Sequence, residues 1–218
     1  LVLIAVPCAL VWAGTRSVPT IPTFIDAYAK PDEMRRMALA DAYLRSFTPA
    51  ELLAAIEEKY ATSVCHTQGH ASGRSIYKKY GNFAEAINQC GSACTYGCFH
   101  GVMMEMFSTD SDTLGGVVSD EAPDQYLKKV EAEAHDLCTR PEVESVVRAR
   151  YCYHGLGHVF AYASGEDLQE AVQACEGLSS ARAIDTCQSG AFMEYLFSSV
   201  GTPVLNTRDV APCDSYAN

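Results

Sequence analysis

From Val64 onward this chain is written twice, and that duplication constrains its fold more than any other feature. The first copy runs through "CHTQGHASG", "NFAEAINQC" and "CFHGVMMEMF", and the second through "CYHGLGHVF", "EDLQEAVQAC" and "CQSGAFMEYLF". His66 and His70 match His154 and His158 at an offset of 88. Phe83, Ala86 and Cys90 match Leu168, Ala171 and Cys175 at an offset of 85. Cys98, Gly101, Met104 and Glu105 match Cys187, Gly190, Met193 and Glu194 at an offset of 89. The offsets change where loops absorb insertions, so the order of the matches is that of a duplicated unit.

Each copy reads as helix, turn, short helix, turn, helix, and alternating strand patterns are scarce throughout. The expected fold is all-α, a duplicated helical-hairpin repeat domain whose units pack about a pseudo-twofold axis or stack as neighbours. Residues 63–135 form the first Cys/His repeat, and residues 136–218 form the second with a C-terminal tail. The segment "STDSDTLGGVVSDEAP" (108–123) is a loop between them. A helix is expected from about Pro123 to Cys138, and Thr139 with Glu142 carries the start signature of the next one. Ahead of the repeats, residues 15–62 read as a linker and two helices. "TRSVPTIPTF" is the extended linker. The first helix has Asp32 and Glu33 near its start and Arg45 near its end, which suits its dipole. The second has Thr48 as cap, Pro49 in its first turn and Glu51 as capping-box partner. These helices read as a packing arm over one end of the repeats.

Ten cysteines point to an oxidising compartment and a bridged fold. Cys175 and Cys187 flank a turn between helices, where a bond staples the hairpin, and by the repeat Cys90 pairs with Cys98. Cys138 and Cys152 bracket another segment, and Cys65 and Cys94 remain as a fourth pair. Cys8 and Cys213 are left over. A rival reading makes Cys94 and Cys98 metal ligands beside His100.

The histidine pairs carry the functional signal. Residues four apart lie on one helix face, with Cβ atoms about 5–6 Å apart. The repeat puts His66/His70, His100/Met104, His154/His158 and Ser189/Met193 at that spacing. Gly73, Gly101, Gly155 and Gly190 fall inside the same helices, where each glycine costs about 1 kcal/mol relative to alanine. Close approach of a second backbone or a bound group is the compensation that fits. Several helices are therefore expected to crowd together, with His66, His70, His154 and His158 as metal ligands and His100 and Met104 next in line. Imidazole with thioether points to copper, with zinc or haem as alternatives. A bis-His haem would need His66 and His154 to face each other. Glu105 and Glu194 are expected to orient the ligands, or else to form buried pairs with Arg74 or Arg182. The bland alternative throughout is that inward histidines and methionines are hydrogen-bonded core residues.

Sixteen Lys and Arg against 27 Asp and Glu leave a formal charge of −11, which excludes nucleic acid as a main partner. The apolar run "LVLIAVPCALVWAG" (1–14) is shorter than the roughly 20 residues that span a bilayer. It reads as the end of an N-terminal transmembrane anchor or as a signal segment. No Cys-x-x-Cys-His, His-Glu-x-x-His, Glu-x-x-His or Gly-x-Ser-x-Gly occurs, and no catalytic residues are singled out. The expectation is a membrane-anchored metal-binding protein on a periplasmic or extracellular face. It would deliver, store or pass electrons through copper beside a membrane protein complex. A non-catalytic accessory or scaffold subunit of such a complex is the alternative from another class.

Overall fold

The computed structural model describes residues 19–29, 32–108, 123–134, 136–143 and 146–199. The apolar segment 1–14, Cys8, the C-terminal tail with Cys213 and most of the 108–123 loop lie outside the described residues. Among the described residues no helix is long and apolar enough to cross a membrane.

The described chain is all-α, with no strand. Helices α1 (Ile21–Tyr28), α2 (Glu33–Tyr43) and α3 (Pro49–Lys59) precede the repeats. The first repeat is α4 (Thr62–Tyr80), α5 (Phe83–Cys90) and α6 (Gly97–Met106). Helix α7 (Pro123–Ala134) and two 3-10 turns, Leu137–Thr139 and Pro141–Val143, lead into the second repeat. That repeat is α8 (Val146–Ala163), α9 (Leu168–Cys175) and α10 (Ala181–Ser199). Both units share the order long helix, short helix, helix, with the third helix 10 residues long in α6 and 19 in α10.

Local chemistry accounts for the element starts. Thr48 Oγ1 accepts from Glu51 N at 3.3 Å while the Glu51 carboxylate accepts from Thr48 N at 2.8 Å, closing the capping box at α3. Asn82 caps α5, and Asp167 caps α9 by accepting from Gln169 N and Glu170 N. Two sequence expectations need correction. The 15–24 stretch is not an extended linker throughout, because α1 begins at Ile21. Thr20 and Thr23 form a capping box there, and Pro22 stands in the first turn, where no N–H is required. Phe24 and Tyr28 are then fully buried, and the Tyr28 hydroxyl donates to Gln68 O at 2.6 Å, docking α1 onto α4. Likewise, the signature at Thr139 does not open α8. Its hydroxyl donates backward to Asp136 O instead, and Pro141 begins a separate 3-10 turn.

The packing within each unit is backbone on backbone. A Cβ added at Gly97 would lie 2.0 Å from His66 O, and one at Gly101 would lie 2.0 Å from His70 O. On the facing helix, a Cβ at Gly73 would lie 1.9 Å from Cys98 O. The residue numbers rise together on α4 and α6, so the two helices run parallel, with α5 as the return. The second unit repeats this, since a Cβ at Gly157 would lie 1.9 Å from Cys187 O and one at Gly190 1.9 Å from His154 O. Gly155 faces the other unit, where Met103 Sδ and His100 Cδ2 would stand 2.7 and 3.0 Å from a Cβ. Helices α6 and α8 join the units, with the Tyr96 and Tyr151 rings stacked at 3.9 Å. Arg74 and Tyr162 are equivalent by the 88-residue offset and meet each other, the guanidinium 5.6 Å from the ring centroid.

Four disulfides fasten this arrangement: Cys65–Cys94, Cys90–Cys98, Cys138–Cys152 and Cys175–Cys187. All four match the candidate pairings, though only Cys90–Cys98 and Cys175–Cys187 follow from the repeat. They also remove the reading of Cys94 and Cys98 as metal ligands, because a bridged sulfur has no thiolate to offer.

The glycine contacts give a sharp expectation. Gly101→Ala should lose more than about 3 kcal/mol of stability, because overpacking against rigid backbone outweighs the gain in helix propensity. Gly177→Ala, whose nearest neighbour would be Ala174 O at 3.5 Å, should change stability by less than about 0.5 kcal/mol. Denaturant titration of the disulfide-intact proteins reads both.

Candidate metal centre

Because glycine lets α4 meet α6, and α8 meet α10, with almost no side chain between them, the histidines beside those glycines are forced into one place. His66 and His70 from α4, His100 from α6, and His154 and His158 from α8 form a single cluster. Their neighbouring ring centroids lie between 4.9 and 6.1 Å apart. One nitrogen from each of His66, His70, His100 and His158 lies within 4.8 Å of the other three. His100 and His158 are completely buried, and His66 and His70 nearly so. His154 is half-buried at the edge. The sixth histidine, His135, lies outside the described residues.

The hydrogen bonds set which nitrogen of each ring is bare. A carbonyl can only accept, so His66 Nδ1–H donates to Thr95 O at 3.2 Å and His100 Nε2–H donates to Tyr151 O at 2.9 Å. His158 Nδ1–H donates to the Glu194 carboxylate at 2.7 Å. Ser189 gives its own proton to Thr186 O at 2.7 Å and so accepts from His154 Nδ1–H at 2.9 Å. With the rings neutral, His66 Nε2, His100 Nδ1, His154 Nε2 and His158 Nε2 all carry lone pairs. Two of those lone pairs, on His66 Nε2 and His100 Nδ1, stand 3.2 Å apart with no proton between them. His70 Nε2 and His158 Nε2 are buried without any hydrogen-bond partner. Buried polar atoms are normally satisfied, so this concentration of bare acceptors is unusual in a protein core.

Four of the rings are driven toward the neutral form. Burial first, and then the neighbouring His158, push His66 below the usual histidine range and push His70 and His100 well below it. The same two causes bring His154 down to about 3. Bare imidazole nitrogens are metal-donor atoms, and the four enclosed rings are close enough together that they could hold one ion.

The supporting residues sort differently from their sequence matches. Glu194 holds His158, as a residue orienting a metal ligand does. Glu105, its equivalent, turns away to bind Arg74 Nε at 2.9 Å and Lys78 Nζ at 3.2 Å. Glu33 adds a contact to Arg74 at 3.6 Å. Met104 is buried, but the thioether that lies beside His100, against Gly155, belongs to Met103. Met103 stands three residues after His100, a helical spacing as good as four for sharing a face. The Thr95 and Tyr151 carbonyls had no sequence signal, since any residue carries one. Thr95 lies in a left-handed turn with φ of 52°, 52° and 65° at Cys94, Thr95 and Tyr96. Such values are strained for a β-branched threonine. The Cys65–Cys94 bridge and a 2.7 Å bond from Cys94 N to the Glu57 carboxylate hold that turn in place.

A separate cleft of about 940 Å³ between α7 and α9, floored by Phe160, includes none of these histidines. Comparison with known proteins gives no matching family model, no matching curated protein and no matching solved structure. The function is therefore argued from this geometry.

Metal-free protein should be acid-sensitive. The folded state resists protonation at four histidines, while the unfolded chain takes up protons below about pH 6.5. Stability is therefore complete above that pH and is lost as pH falls toward the depressed folded values. For the fully buried His100 the slope approaches about 1.4 kcal/mol per pH unit. Urea midpoints measured in chelator from pH 8 to pH 5 should fall steadily below pH 6.5, and a flat profile would contradict the neutral cluster.

Proposed function

We propose that this protein binds a copper ion in the imidazole cluster and holds it for delivery, storage or electron transfer outside the cytoplasm. The observation that carries this reading is the pair of facing lone pairs at His66 Nε2 and His100 Nδ1, 3.2 Å apart. Two nitrogens bound to one tetrahedral ion at about 2.0–2.1 Å are separated by about 3.3 Å. The tautomers of His66, His100 and His158 are set by Thr95 O, Tyr151 O and Glu194, which lie outside the cluster. That is how ligand histidines are oriented toward an ion.

The donor set supports a holding role over catalysis. Four protein nitrogens complete a tetrahedral shell and leave no position for substrate. Imidazoles favour copper over the other divalent first-row ions. The ring spacings argue for an ion over a haem, because a macrocycle needs a slot between its axial ligands, whereas His66 and His154 lie 6.1 Å apart with His100 packed against both at 4.9 and 5.1 Å. Zinc is the competing ion. Four disulfides support a location in an oxidising compartment. Attachment to a membrane through residues 1–14, and work beside a membrane complex, belong to the same proposal.

The test is metal content by mass spectrometry on the full chain made in an oxidising compartment. Near-stoichiometric copper is expected, with its loss in a His66→Gln, His100→Gln variant that keeps its helical circular dichroism. A folded parent that takes up neither copper nor zinc when both are supplied would overturn the reading.

A further inference from the structure

The cluster holds five imidazoles, one more than a tetrahedral ion needs. We infer that His154 is an exchange ligand, the group through which the ion enters and leaves the buried site. This inference rests on the metal-binding reading above and deepens it.

The geometry separates His154 from the other four. His66, His70, His100 and His158 are at most 8% exposed and place one nitrogen each within 4.8 Å of one another. His154 stands outside that group and is half-buried. Yet its ring lies 5.1 Å from His100, 5.0 Å from His158 and 6.1 Å from His66. It therefore adjoins three of the four enclosed ligands and also reaches the surface. Ser189, which binds its Nδ1–H, is exposed. That bond leaves Nε2 as the free donor atom.

The duplication explains why the opening is on this side. By the repeat, His154 corresponds to His66, and Ser189 corresponds to His100. In the first unit His66 faces the imidazole of His100 at 3.2 Å and its other nitrogen is tied to a backbone carbonyl. In the second unit the equivalent partner is a small hydroxyl at the surface. Where the first unit is closed by an imidazole, the second is left open.

An ion bound by four buried nitrogens leaves slowly if all four must let go unaided. A fifth imidazole at the rim offers a stepwise route. The ion bonds to His154 Nε2 as it releases one enclosed nitrogen, and a donor or acceptor ligand in solution completes the exchange from outside. No electron or proton changes hands in this step. The partner chemistry it fits is a copper complex with an exchangeable nitrogen or sulfur ligand.

The experiment follows copper(I) transfer from its bicinchoninate complex to the full chain, anaerobically, by loss of the chelator's visible band. The parent, His154→Ala and His70→Ala are compared. Alanine is a good helix former at a half-buried helical position, and circular dichroism checks the fold. The parent and His154→Ala are expected to take one ion per chain with the same equilibrium partition against chelator. Transfer into and out of His154→Ala should be slower by about tenfold, a barrier change of about 1.4 kcal/mol. His70→Ala should lose equilibrium affinity instead. An unchanged rate in His154→Ala would overturn the exchange role while leaving metal binding intact. A loss of equilibrium affinity in His154→Ala as large as in His70→Ala would also overturn it, making His154 an ordinary ligand. A parent that takes no copper would overturn the metal-binding reading and this inference with it.

Discussion

The direct contact of helix backbones at glycine is the interaction on which the rest of this structure depends. Where Gly97 and Gly101 meet His66 O and His70 O, the Hα that replaces Cβ points at a carbonyl. Such contacts supply weak Cα–H···O attraction and dense dispersion contact in place of side-chain burial. They offset the propensity penalty of glycine inside a helix. They also shorten the distance between helix axes so far that side chains flanking the contact cannot avoid each other. Those side chains are histidines, and the cluster is the consequence of the contact.

The bridges add to a buried apolar core to which both units contribute, Phe83, Ile87 and Phe99 from the first and Leu156, Val159 and Phe160 from the second. Each short helix is tied to the helix that follows it, Cys90 of α5 to Cys98 of α6 and Cys175 of α9 to Cys187 of α10. Closing loops of 8 and 12 residues constrains the unfolded chain by about 2–3 kcal/mol each. The Cys65–Cys94 bridge has a second effect. It holds the left-handed turn whose Thr95 carbonyl sets the tautomer of His66. A bridge beside the cluster thus decides which nitrogen of His66 is left bare.

Duplication supplied a symmetric frame, and divergence within it made the centre asymmetric. His66/His70 and His154/His158 keep their symmetry. His100 and Ser189 do not, nor do Glu105 and Glu194 in what they bind, nor Arg74 and Tyr162, which meet across the unit boundary. One unit provides the third helix's imidazole, and the other provides the carboxylate that orients His158. The cluster is complete only when both units contribute. Its bare, desolvated nitrogens, His70 Nε2 and His158 Nε2 among them, weigh against the stability of the fold.

Much of this was legible in the residues themselves. Periodicity, caps and an 88-residue self-match are local or linear properties, so the all-α class, the duplicated unit and its caps could be read directly. Two of the bridges, Cys90–Cys98 and Cys175–Cys187, could be read too, because the repeat pairs cysteines across the same turn twice. Glycines inside helices announced a close approach. What the linear chain could not carry was the meeting of α4, α6 and α8. That meeting joins two histidine pairs and His100 into one cluster, packs Met103 rather than Met104 against Gly155, and sends two matched glutamates to different partners. The backbone carbonyls of Thr95 and Tyr151 are the clearest case. Every residue has such a group, so its position in space, set by how helices pack, decides which nitrogen of a histidine is left bare.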